Sequence, residues 1–151
     1  MPNKGTHVVI AAGTGVTLDL LLQYFSHRLD NIGRPPEMRT PFEPNWAEVG
    51  VVGLACVGGA LMPDGMEPAT DPNHRAVCHS VLAGAVVAIP VACKFQEMKE
   101  NGCRELLPRA ALAFGVGYLT HLGADALTPK GLPLVGVRPA RSRRLRRRNS
   151  D

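Results

Sequence analysis

Four apolar segments rich in alanine, glycine, valine and leucine constrain most strongly what this chain can fold into. They lie at residues 7–24, 46–62, 77–93 and 106–127, and polar stretches separate them, the first two of which contain prolines. Aromatic residues make up only 5% of the chain, and small residues allow helices to pack closely. We therefore predict an all-α fold, a compact bundle of about four helices. The β-branched residues of 49–57 leave a strand there as the alternative.

Local signals set the expected helix boundaries. Thr6 can cap the first helix, and Pro63 should end the second. The third helix should kink at Pro90 and continue as an amphipathic stretch over residues 94–101. Four prolines within the polar residues 26–45 predict a long surface loop without regular helix.

The length and composition of these segments bear on membrane insertion. A spanning helix needs about 20 apolar residues, and no segment clearly reaches this length without a polar interruption. The third segment comes nearest, but it contains His79 and Ser80. We expect a bundle that is embedded in, or pressed against, the cell inner membrane. A soluble bundle is the alternative.

The positive charge of the chain is confined to its last residues. Seven of the 17 basic residues lie in the last 14 positions, namely Arg138, Arg141, Arg143, Arg144, Arg146, Arg147 and Arg148. The rest of the chain is slightly acidic. We predict a helical domain at 1–137 and a disordered tail at 138–151. The tail should lie on the cytoplasmic side of the membrane, where it could bind anionic lipid or nucleic acid.

A histidine and an aspartate on the fourth predicted helix indicate a metal site. His121 and Asp125 are four residues apart, so their Cβ atoms lie about 5–6 Å from each other on one face. Other segments supply further nitrogen and oxygen donors, and this donor set without thiolates suits zinc or manganese. We predict one or two ions, with Asp125 as a possible bridge. The candidate ligands are His7, Asp64, His74, His79, His121 and Asp125.

These candidates do not have equal roles. Asp64, His79, His121 and Asp125 can form one site, which leaves His7 and His74 for a second ion or for the outer shell. Each residue also has a structural interpretation, because a histidine and an aspartate one helical turn apart are more often a hydrogen-bonded pair than a metal site.

Arg75 points to a phosphoester as the substrate. Its guanidinium can bind a phosphate through two hydrogen bonds, beside the free amides of a helix N-terminus. The HExxH motif of zinc peptidases is absent. We therefore expect phosphoester hydrolysis, with a phospholipid of the membrane as a candidate substrate, Arg75 at the phosphate and Glu67 or Asp64 as proton acceptor. The alternative is a non-catalytic helical membrane protein with a structural metal and a basic tail that binds a partner or nucleic acid.

Several short motifs resemble a known family. They are Gly-Ala-Leu-Met-Pro-Asp at 59–64, Asn73-His74-Arg75 with His79-Ser80, Gly117-Tyr118 with His121 and Asp125, and Leu-Thr-Pro-Lys-Gly-Leu-Pro-Leu at 127–134. This order resembles the YdjM-like family of predicted membrane-bound metal-dependent hydrolases. The resemblance implies a helical, membrane-associated, hydrolytic protein.

The ligand order of that family is similar to that of zinc-dependent phospholipase C. This similarity implies the ligands His7, Asp64, His79, His121 and Asp125. The chain departs from the family at Met66, where an acidic residue is usual, and has Glu67 next to it. No histidine or glutamate that could complete a three-ion cluster follows Asp125, so the comparison implies one or two ions.

Overall fold

The protein is a bundle of four α-helices. A computed structural model describes residues 4–67, 77–102, 104–127 and 132. Within these ranges the helices are α1 Lys4–Asp30, α2 Trp46–Met66, α3 Val81–Asn101 and α4 Leu106–Ala126, with a 3-10 helix at Pro36–Met38 between α1 and α2. The described residues contain no β-strand, so the all-α prediction is confirmed. The alternative of a strand at 49–57 is wrong, because this segment lies inside α2.

Helix α1 is longer at both ends than predicted. Thr6 lies inside the helix and does not cap it, because residues 4 and 5 are already helical. At the other end, residues 26–30 contain no proline and continue the helix. The chain then turns at Gly33, whose φ of 78° favours glycine. The predicted loop at 26–45 is therefore shorter than expected, and it includes one turn of 3-10 helix.

Pro63 interrupts its helix less than predicted. Helix α2 continues through Pro63 to Met66: the proline has no N–H to donate, but the Glu67 N–H still donates to the Pro63 carbonyl at 3.0 Å. Helix α3 runs through Pro90 to Asn101, so its predicted continuation over residues 94–101 is confirmed. It begins four residues later than predicted, since the Ser80 hydroxyl accepts the Ala83 N–H at 3.1 Å and caps the helix. Asp64 therefore lies in the last turn of α2, and His79 lies just before α3.

The core forms where α1, α2 and α4 meet, and α3 packs mainly on α4. Small side chains fill the centre: Ala11, Val52, Cys56, Ala60 and Ala113. Helices α2 and α4 approach so closely that a Cβ on Gly59 would overlap the Phe114 carbonyl, and a Cβ on Gly117 would overlap the Cys56 carbonyl. Leu22, Met98 and Leu112 form a second cluster that joins α3 to the bundle.

Three helices, α1, α2 and α3, are long and apolar enough to cross a membrane. Their outer faces expose large apolar side chains, including Val9, Leu54 and Ile89. Water would solvate such a surface poorly, whereas lipid chains would cover it. This architecture favours the membrane-embedded bundle over the soluble alternative.

The close approach of α2 and α4 makes a specific prediction for Gly59. Gly59→Ala should destabilise the protein by about 1–3 kcal/mol, because the added methyl group must push α4 away. Gly50→Ala is the matched control on the same helix, since nothing lies near its Cβ position. Thermal unfolding in detergent, followed by circular dichroism, compares the two. Equal melting temperatures for both variants would contradict this packing.

A buried ion pair that the sequence analysis did not predict lies farther along the bundle. The Arg109 guanidinium donates to the Asp19 carboxylate at 2.9 Å and also to Glu48. Gln23 donates to the other Asp19 oxygen at 2.6 Å. Asp19 and Arg109 are 0% and 1% exposed. This network joins α1, α2 and α4 by charge as well as by packing.

Candidate metal centre

Five of the predicted ligands meet at one end of the bundle. Antiparallel packing brings the start of α1, the end of α2, the residues before α3 and the end of α4 to this end. His7 lies at the start of α1, Asp64 at the end of α2 and His79 before α3, and both His121 and Asp125 lie at the end of α4. The predicted residues His74 and Arg75 lie outside the described residues.

The donor atoms face one another at short distances. His79 Nε2 lies 3.3 Å from Asp64 Oδ1 and 3.2 Å from His121 Nε2. His121 Nε2 lies 3.7 Å from Asp64 Oδ1 and 3.7 Å from Asp125 Oδ2. Zinc holds such ligands at about 2.0–2.2 Å, so two ligand atoms of one tetrahedral ion lie about 3.3–3.5 Å apart. The donor set and its spacing fit a divalent cation.

The residues form two groups of three that share His121. One group is His7, His121 and Asp125, and the other is Asp64, His79 and His121; within each group the donor atoms lie within 4.8 Å of one another. Asp125 presents Oδ1 to His7 at 3.8 Å and Oδ2 to His121 at 3.7 Å. Because its two oxygens face different histidines, Asp125 has the arrangement of a bridging carboxylate. The geometry accommodates one ion or two.

The cluster is buried except on one side. His7, His79, His121 and Asp125 are between 1% and 5% exposed, whereas Asp64 is 33% exposed. Charge interactions are strong in the dry part of the cluster, because little water screens them. A small molecule can therefore reach the cluster at the Asp64 side.

Glu67 holds His79 from the other side of the imidazole ring. Its carboxylate accepts the backbone N–H groups of Val77 at 2.9 Å and Cys78 at 3.0 Å, and Oε2 lies 3.3 Å from His79 Nδ1. Burial acts to raise the pKa of Glu67, but the hydrogen bonds from Val77, His79 and Cys78 outweigh it and lower this pKa. A charged carboxylate at the far nitrogen fixes the ring orientation of a metal-binding histidine.

This geometry favours a positioning role for Glu67 over the proton acceptor expected from the sequence. Met66, next to it, is exposed. Glu67 is the second carboxylate, besides that of Asp64, that contacts His79 from the end of α2. Its role was missed because it depends on Val77, Cys78 and His79, which are distant in sequence.

Glu67→Gln should weaken zinc affinity about 10–100-fold, because the amide interacts more weakly than a carboxylate with the far nitrogen of His79. Competition with a chromophoric chelator measures this affinity. Glu97→Gln, an exposed glutamate on α3, is the matched control and should bind zinc as the wild type does. An unchanged zinc affinity in Glu67→Gln would show that Glu67 does not position His79 for the metal.

Tyr118 secures the segment that carries His79. Its buried hydroxyl donates to the Cys78 carbonyl at 2.6 Å and thereby ties the residue before His79 to α4. The sequence analysis quoted Tyr118 within a motif but gave it no role. A tyrosine three residues before His121 was the available signal, since the two side chains lie near one another on α4.

Comparison with known proteins identifies the family. The family described as YdjM inner membrane protein matches residues 1–148, nearly the whole chain. No curated protein and no solved structure matches it. The match confirms the resemblance inferred from the motifs, and it agrees with three helices that can cross a membrane. The chain belongs to the YdjM family of inner membrane proteins.

Proposed function

We propose that this protein is a membrane-bound, metal-dependent hydrolase that acts on a phosphoester. The observation that supports the proposal is the convergence of three imidazoles and two carboxylates at one end of a membrane bundle. Six pairs of their donor atoms lie 3.2–4.0 Å apart. Zinc is the first candidate and manganese the second, because both accept nitrogen and oxygen ligands.

Each residue of the cluster has a distinct task in this proposal. Asp64, His79, His121 and Asp125 hold the ion, and His7 holds a second ion or supports Asp125. A bound ion of this class supplies a Lewis acid and a water whose pKa is near 7. Asp64 lies at the exposed edge, so it is the carboxylate best placed to take a proton from water.

The membrane orientation is a separate part of the proposal. The arginines of residues 138–148 lie outside the described residues, and their charge favours the cytoplasmic side of the inner membrane. Trypsin should remove this tail in inside-out membrane vesicles and spare it in right-side-out vesicles. The reverse cleavage pattern would contradict the orientation.

The test of the activity is hydrolysis of a chromogenic phosphodiester, bis(p-nitrophenyl) phosphate, by the full chain in detergent. Turnover should require added zinc or manganese, stop on chelation and return when the metal is restored. A metal-loaded wild type without turnover on phosphomonoesters or phosphodiesters would contradict the proposal. Chelation that lowers only the melting temperature would then favour the non-catalytic alternative, in which the metal fixes the bundle.

A further inference from the structure

An apolar groove runs between α3 and α4 and begins beside the candidate metal centre. It consists of two cavities of about 500 Å³ and 450 Å³ that share Val86, Val87, Phe114 and Gly115. The larger cavity extends to Cys78, Ser80 and Tyr118. The smaller one extends past Pro90 towards Lys94. The groove therefore leads away from the residues around His79 along the length of α3.

The groove is continuous with the surface that faces the bilayer. Helix α3 is apolar enough to span the membrane, and only 6% of its spanning window is buried inside the bundle. Leu82 and Val86 line the groove and are 57% and 65% exposed. The groove thus opens sideways into lipid, so its occupant must be something that the hydrocarbon layer contains.

The dimensions of the groove suit an extended hydrocarbon chain. The 14 helical steps from Ser80 to Lys94 rise about 21 Å, which is within the roughly 30 Å hydrocarbon core. A helix of this length, about 10 Å wide, would fill roughly 1,600 Å³. The two cavities together hold at most about 950 Å³, which is too little for a helix but in the size range of small-molecule sites.

The polar end of the groove adjoins the candidate metal centre. The Tyr118 hydroxyl donates to the Cys78 carbonyl there, and Cys78 and Ser80, the two neighbours of His79, line the larger cavity. A lipid whose chain lies in the groove would therefore have its headgroup at the level of His79, near the ion that this residue would hold.

We infer that the groove between α3 and α4 binds an acyl chain of a membrane lipid, and that the substrate of the metal centre is a lipid phosphoester drawn from the bilayer. The inference about the substrate rests on the proposed hydrolase function. Binding of the chain does not, because the groove exists in the fold whether or not the centre hydrolyses anything.

Photolabelling of the full-length protein tests chain binding without any need for turnover. The probe is phosphatidylglycerol with a diazirine in the middle of one acyl chain, in vesicles, with adducts mapped by mass spectrometry. Val86, Val87 and Phe114 should be labelled in excess of Leu54 and Ile89, which are exposed but line neither cavity. Labelling in proportion to exposure would overturn the inference. Crosslinks between two copies through Phe114 would assign the groove to a dimer interface.

A variant in which a large side chain fills part of the groove should lose binding of the acyl chain. Ala111→Trp places a large side chain in the smaller cavity and should reduce labelling about tenfold, the loss expected when contacts of about two methylene groups disappear. Val86→Trp is the second variant, at an exposed position that lines both cavities. Ile89→Trp is the control, because Ile89 is exposed on α3 but lines neither cavity. Unchanged labelling in both groove variants would contradict the inference.

Kinetics then separate the two proposals. If the protein hydrolyses phosphodiesters, Ala111→Trp should lower the ratio of kcat/KM for a long-chain lipid to kcat/KM for bis(p-nitrophenyl) phosphate about tenfold. An unchanged ratio would overturn the lipid substrate and leave the hydrolase proposal standing. Labelling of the groove in a protein without any turnover would support binding of the acyl chain and contradict the hydrolase proposal.

Discussion

Replacing His121 with alanine should abolish the stabilisation of this protein by zinc. His121 belongs to both groups of candidate ligands, so no other single residue removes as much of the donor set. In the wild type, zinc at about 100 times its dissociation constant should add about 2.7 kcal/mol to the free energy of unfolding. Melting temperatures with and without zinc measure this gain. The comparison within each variant is needed because the alanine also leaves a cavity.

His27→Ala is the matched control for the loss of a histidine. His27 lies near the end of α1 away from the candidate centre and is 2.9 Å from the Thr40 carbonyl oxygen. This variant should keep the full zinc-induced shift of the wild type. A zinc-induced shift that persists in His121→Ala would place the metal elsewhere in the chain.

Asp19→Ala should destabilise the bundle by about 3 kcal/mol, because it removes the fully buried partner of the Arg109 guanidinium and leaves it with the partly exposed Glu48. Arg109 is 1% exposed, and Asp19 accepts its Nη1 at 2.9 Å within a helix that can span the membrane. A charge that is only partly balanced inside such a bundle is costly. Chemical unfolding in detergent gives the free energy directly.

Two further variants show whether the effect comes from the lost balance of charge at Arg109. Asp19→Leu combined with Arg109→Met removes the two buried charges, leaves Glu48 at its partly exposed position, and should restore much of the lost stability. Glu97→Ala breaks the exposed pair with Lys94 and should cost at most about 1 kcal/mol. If Asp19→Ala unfolds as easily as Glu97→Ala, the buried pair does not stabilise the bundle.

The sequence was sufficient to predict the fold class but not every helix end. Four apolar segments rich in small residues specify a helical bundle, because closely packed helices can bury them together. The errors fell at Thr6, Pro63 and Ser80, where local rules gave the wrong boundary. Pro63 does not end α2, whose last turn is completed by the Glu67 N–H that donates to the Pro63 carbonyl.

The candidate centre was predictable in part for a topological reason. Each ligand lies near the end of an apolar segment, and antiparallel packing of four helices brings those ends together. The position of Glu67 against His79 could not be predicted, since it depends on how residues before α3 fold back onto α2. The Arg109–Asp19 pair joins residues 90 positions apart. The available signal was that each is one of the few charged residues inside an otherwise apolar segment.

Metal content tests the central claim most directly. Inductively coupled plasma mass spectrometry should find about one or two equivalents of zinc or manganese in the purified wild type. It should find neither metal in the His121→Ala, Asp125→Ala double variant. His27→Ala should retain the wild-type content. A folded wild type that holds no metal even after zinc is supplied would contradict the account, and the buried histidines would then be structural.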